Sequence, residues 1–268
     1  MRTENDICML CQTNKVSKTV RSHILPKFIS TKFLQTKSGP RKGFAIGGPK
    51  IKTIQDSAKE KYVLCDECEH YFSLLEGYGS EVYSLWQQKL GTNEYSQTQH
   101  FPGLLLINCD TASPQVMKLL TYSMFWRASI SSVDVFDGYQ LDANFEEKLR
   151  VILHENKSAT RLELMKKLAG STSVQHPYGV LTADSFKDDT ANIVVALDST
   201  NPYTLTVDRF AFVLFEKLSD IDKELMKRAS NIDSSLFKIQ VVPQLEWQRN
   251  IVQPAINIIA KQANGSRK

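Results

Sequence analysis

Leu64-Cys65-Asp66-Glu67-Cys68-Glu69-His70-Tyr71-Phe72-Ser73 places two thiols three residues apart, where a short strand runs into a helix. A matching pair, Cys8-Met9-Leu10-Cys11, stands near the start of the chain. Two residues between cysteines let both thiolates of a tight turn face one ion, so Cys8, Cys11, Cys65 and Cys68 together offer the four sulfurs of a tetrahedral zinc site. A closed site of this kind is structural. The interval 12–64 is longer than the usual spacing between knuckles and reads as an insertion with content of its own.

Working outward, Val16 to Leu25 alternates like one strand or two short ones, and Pro26 ends it. Lys27 to Lys37 predicts a short amphipathic helix stopped by Ser38-Gly39-Pro40, followed by a glycine-rich loop from Gly43 to Pro49. Lys61 to Leu64 reads as a strand. Glu69 to Leu85 has helical spacing, with a bend or restart expected near Gly77 and Gly79.

The net charge of +4 over 268 residues conceals an asymmetry. Residues 1–62 carry thirteen Lys or Arg against four acids, a balance of +9, whereas the rest of the chain balances at −5. A basic head on a mildly acidic body predicts a polyanionic partner, since neutralised phosphates release condensed counterions. Lys15, Lys18, Lys27, Arg41, Lys42 and Lys50 are the expected phosphate contacts. The competing reading is a solubilising surface.

Residues 87–102 are polar and mark a boundary between a segment 1–90 and an α+β segment 103–268. Within the latter, helices are expected over 115–170, the first of them apolar almost all round from Gln115 to Ser131. Antiparallel strands are expected over 178–243, then a C-terminal helix beginning with Pro254 and burying Ala255, Ile258 and Ile259. Helices followed by strands argue for α+β rather than a parallel βαβ sheet. No apolar run approaches eighteen residues, which excludes a membrane-spanning helix. The start lacks a basic-then-apolar leader, and with five cysteines and no disulfide framework this predicts a cytoplasmic protein.

The insertion carries Ser22-His23-Ile24-Leu25-Pro26-Lys27-Phe28. A CxxC pair, then His-Ile-x-Pro, then Leu-Cys-x-x-Cys opening a helix, resembles the HNH endonucleases, whose ββα-metal motif is braced by a treble-clef zinc site. SHILPKF, LCDECEHYFS and FWRAS are similar to a bacterial subgroup with SHIIPKF, LC-x-x-CE-x-x-FS and LWRAS, over about residues 8–130. Such proteins look like phage-defence or mobile-element cargo.

The resemblance implies that His23 is the general base activating water at a phosphodiester, a task suited to neutral imidazole. It implies that Glu69, where the family has a metal-binding His, ligates Mg²⁺ or Mn²⁺, with Glu76 two turns further on. Two positions depart from the pattern. Ser22 replaces the usual acid before the catalytic His, and no Asn precedes Cys65, where Asp56, Lys59, Glu60 and Lys61 stand. A metal-dependent HNH-type nuclease is therefore one expectation. A non-catalytic zinc module binding nucleic acid or a protein partner through the α+β body is the other.

Asp184, Asp188 and Asp189 lack the glycine and terminal acid of a calcium loop and read as a solvated turn. Trp126-Arg127 reads as a core aromatic with an arginine tying helix to loop, or as a phosphate contact. Cys109 reads as a buried hydrophobe. There is no Walker motif, no GxGxxG and no GxSxG.

Overall fold

The computed structural model describes residues 2–29, 35–36, 39–40, 43–46, 52–54, 57–85, 89–101, 104–171, 175–184, 193–197, 202–221, 229–233, 235–254 and 256–257. Arg41, Lys42, Lys50, Asp188, Asp189, Ala255, Ile258 and Ile259 lie outside them.

The elements run β1 (Arg21–His23), α1 (27–29), β2 (Gln35–Thr36), β3 (Gly39–Pro40), β4 (Gly43–Ile46), β5 (Lys52–Ile54), β6 (Lys59–Lys61) and α2 (Asp66–Leu85). There follow β7 (Tyr95–Phe101), β8 (Leu104–Cys109), α3 (Pro114–Ile130), α4 (Ala143–Glu155), α5 (Arg161–Leu168), β9 (Tyr178–Ala183), β10 (Ile193–Leu197), β11 (Tyr203–Val207), β12 (Phe210–Leu214), β13 (Phe237–Val242) and α6 (Gln244–Trp247). The protein is mixed α and β. None of the described helices is long and apolar enough to cross a membrane.

A nine-stranded sheet has the order β5-β4-β10-β11-β12-β9-β13-β8-β7. It is mixed rather than antiparallel throughout, because β4 pairs parallel to β10 and β9 parallel to β13. Both parallel pairs join strands far apart in sequence, and such pairs need long crossovers that turn chemistry cannot announce. The stretch expected as a glycine-rich loop supplies β4, since Gly43-Phe44-Ala45-Ile46 finds a ladder on each side. The expected helix to Lys37 does not extend that far. Gln35–Thr36 pairs instead with Gly39–Pro40.

The central strands β9, β12 and β13 are buried on both faces. Along β12, Phe212 and Leu214 enter the main apolar cluster, whereas Ala211 and Val213 enter a smaller one with Trp247 and Ile251. The main cluster runs continuously from Cys8 and Leu10, through Tyr71 and Leu75 of α2, to Ile239 and Val241 of β13. Residues before 90 and after 103 thus contribute to one core.

α3 is buried nearly all round, as its sequence requires, and is opened by Ser113, whose side chain accepts from the Val116 N–H, with Pro114 in the first turn. α2 is one unbroken helix of 20 residues through Gly77 and Gly79. Gly79 is a packing notch, since a Cβ there would stand 2.2 Å from Leu120 Cδ2 and 3.2 Å from Phe28 Cζ. The last helix begins ten residues earlier than expected, at Gln244 after Pro243. It widens to π geometry over Gln248–Val252, ahead of Pro254, which has no N–H to give and whose ring crowds the preceding turn.

Candidate metal centre and the ribbon beside it

The first knuckle folds because Gln12 takes a left-handed conformation, φ 55°, directly after Cys11. That turns the chain back so that Gln12 N–H donates to Cys8 O at 2.9 Å, while Cys8 N–H donates to Asn14 O. Tyr62 also has positive φ, 61°, and turns the chain out of β6. Val63 O then accepts from Met9 N–H and Leu64 O from Ser17 N–H. These two bonds tie the first knuckle to the second before any metal is considered.

All four knuckle cysteines are buried, and their Sγ atoms lie within 4.8 Å of one another. Cys11 and Cys65 sulfurs are 3.9 Å apart. A tetrahedron with metal–sulfur bonds of about 2.3 Å has sulfur–sulfur edges of about 3.8 Å, so the set fits an ion such as zinc. Cys65 precedes α2 and Cys68 lies in its first turn, where free N–H groups and the helix dipole favour thiolate. Its hydrogen bond from Cys68 holds Cys8 down to about 4, whereas the Cys8 thiolate and burial push Cys68 up. Four thiolates so close repel one another, and a cation resolves that repulsion.

Beside the cage, β1 and β6 form a two-stranded antiparallel ribbon with Arg21 opposite Lys61, Ser22 opposite Glu60 and His23 opposite Lys59. Directly opposed residues share a face, and neighbours along a strand leave on opposite faces. Ser22 and Glu60 therefore point inward, and both are buried. Arg21, His23, Lys59 and Lys61 share the other face. Arg21 and Lys61 are exposed, while His23 and Lys59 are half-buried, with His23 Nε2 buried.

On the inward face, Ser22 Oγ donates to Glu69 Oε1. Ser22 thus meets Glu69 directly. Burial pushes the Glu69 carboxyl above its ordinary value, against the pull of Ser22 and Arg127. Glu60 accepts from Arg2, from Ser131 Oγ at 3.0 Å and from Ser132 N–H at 3.0 Å, while Arg2 also donates to Ile130 O. It clamps the ribbon to the end of α3. Arg127, 1% exposed, donates from Nη1 to His23 O at 2.6 Å and to Glu76 Oε1 at 2.7 Å, from Nε to Ser123 O at 3.2 Å, and lies 5.0 Å over the Phe72 ring.

A second ion, Mg²⁺ or Mn²⁺, fits these residues poorly. Glu76 is engaged by a guanidinium, Ser22 is engaged by Glu69, and the remaining Glu69 oxygen lies in the field of Arg127, which repels a divalent cation.

Lys15, Lys18 and Lys27 are exposed, and Lys18 lies 3.6 Å from Glu4. The charge count includes Arg21, Lys59 and Lys61 but does not single them out as phosphate contacts, because only the β1–β6 pairing puts them on one face. Elsewhere, Asp184 Oδ1 accepts from Gln244 N–H at the start of α6, and Cys109 is buried in β8. His70 Nε2 is 2.8 Å from Ala159 O.

No family model matches the chain, and neither a curated protein nor a solved structure shows significant similarity to it.

Proposed function

We propose that residues 1–90 form a zinc-braced module with the treble-clef layout of the HNH-type proteins, and that the chain binds nucleic acid through it. What carries this reading is the cysteine cage. It holds a knuckle, a β1–β6 ribbon and the start of α2 together, which is the knuckle, hairpin and helix order of that layout. It also sets Ser22 against Glu69, the two positions that the HNH resemblance assigns to the catalytic ion. Zinc in the cage is structural, because four protein sulfurs leave no open position. The cationic ribbon face and exposed Lys15, Lys18 and Lys27 support a phosphate-rich partner.

Hydrolysis is the second reading, favoured by the position of His23 between cations on the ribbon. Against it stand the buried Nε2 and the Ser22 and Arg127 contacts that occupy the carboxylates. The test is incubation of the zinc-loaded chain with plasmid, single-stranded DNA and RNA, with and without Mg²⁺ or Mn²⁺, beside His23→Ala. Retarded but intact nucleic acid is the expected result. Cleavage that disappears in His23→Ala would establish the second reading, and neither retardation nor cleavage would remove both.

A further inference from the structure

The cations of the outer ribbon face are not spread at random over a soluble surface. Arg21 and Lys61 are directly opposed across two paired strands, and Lys59 lies on the same face two residues from Lys61. Opposed residues of an antiparallel pair have Cα atoms only about 4.5–5.5 Å apart, and like charges in that relation destabilise the pairing. Among the described residues neither Arg21 nor Lys61 has an acidic partner, while the one acid of the ribbon, Glu60, is turned to the opposite face and engaged by Arg2, Ser131 and Ser132. Two exposed cations therefore face solvent from one point, on strands pinned from behind by the Glu60 clamp and the Ser22–Glu69 contact.

We propose that Arg21 and Lys61 together bind one phosphate of a nucleic-acid backbone. The inference rests on the nucleic-acid reading above and assigns it a surface. A guanidinium fork offers two parallel donors to phosphate oxygens, and an ammonium opposite it adds a point charge. No base is read by these groups, so affinity should be insensitive to sequence and steeply sensitive to salt.

The test uses the full zinc-loaded chain, fluorescently labelled 20-nucleotide single-stranded and duplex DNA, and anisotropy titrations over a salt series. Arg21→Gln with Lys61→Gln should lower the duplex log–log salt slope by about 0.9, the amount carried by the one phosphate contact they share. The same double variant should melt no lower than the parent, because it removes a like-charge opposition, and its zinc content should be unchanged. Lys61→Arg should retain binding and slope, which separates loss of charge from disturbance of the strand. If the double variant binds with the parent's affinity and slope, the ribbon assignment is wrong while nucleic-acid binding stands, with Lys15, Lys18 and Lys27 the next surface to vary. If the parent binds neither DNA form, both the assignment and the reading beneath it fall.

Discussion

Arg127 donates to the main-chain carbonyl of His23 at 2.6 Å, joining residues 104 positions apart and fixing the end of β1 from a helix of the following segment. The same Nη1 reaches Glu76 of α2, so one guanidinium holds ribbon, cage helix and α3 in a single arrangement. Phe72 covers its face.

Replacing Arg127 by Ala should therefore cost about 3–5 kcal/mol, the range for leaving one partner of a buried ion pair uncompensated. Arg127→Lys should recover little, because one ammonium cannot reproduce the forked geometry. Adding Glu76→Gln to Arg127→Met should recover part of the loss. Urea unfolding midpoints of the parent, Arg127→Ala, Arg127→Lys, Arg127→Met and Arg127→Met with Glu76→Gln measure this, and an Arg127→Ala midpoint equal to the parent's would show that the contact contributes nothing.

Metal analysis of protein purified without chelator should find about one zinc per chain. Because the cage residues belong to the same apolar cluster as β13, chelation should shift one cooperative melt of the whole chain downward. Two separated transitions, with the later helices and strands unmoved, would show instead that the segment after 103 is stable alone.

Gly77 and Gly79 lie two residues apart in α2 and should respond in opposite senses to alanine. A Cβ at Gly77 meets nothing within 4 Å, so Gly77→Ala should stabilise by roughly 0.5–1 kcal/mol through helix propensity. A Cβ at Gly79 meets Leu120, the packed side of α3, so Gly79→Ala should destabilise by about 1–3 kcal/mol. Thermal melts that order the two variants the other way would refute the notch.

His176 packs its ring edge-on to Phe145, with Nδ1 2.7 Å from Glu216 O. Burial lowers its pKa below the ordinary 6.5, so the folded chain keeps it neutral where the unfolded chain takes up a proton. The stability this neutral imidazole contributes is fully present above pH 6.5 and is lost as pH falls through the lowered value. Unfolding midpoints at a series of pH values should drop below pH 6.5 in the parent and less in His176→Gln. Parallel curves would assign the acid sensitivity to other groups.

Local sequence was enough for the features whose physics is local. Two CxxC pairs announce a cage because a tight turn suffices to aim both thiols, and the all-round apolar run from Gln115 to Ser131 announces α3 because its pattern lies in adjacent residues. The strands β9 to β13 were legible for the same reason, each bounded by polar turns. Tertiary structure alone decided the rest. Gly43–Ile46 becomes a strand only because β10 offers it a ladder, and Gly79 becomes a notch only because Leu120 arrives there. The ribbon register turns Arg21 and Lys61 outward together and Ser22 inward onto Glu69, a pairing that spans the whole insertion. Arg127 finds His23 and Glu76 through packing of α3 on α2, and contacts between residues fifty or a hundred positions apart leave no periodic trace in the chain that makes them.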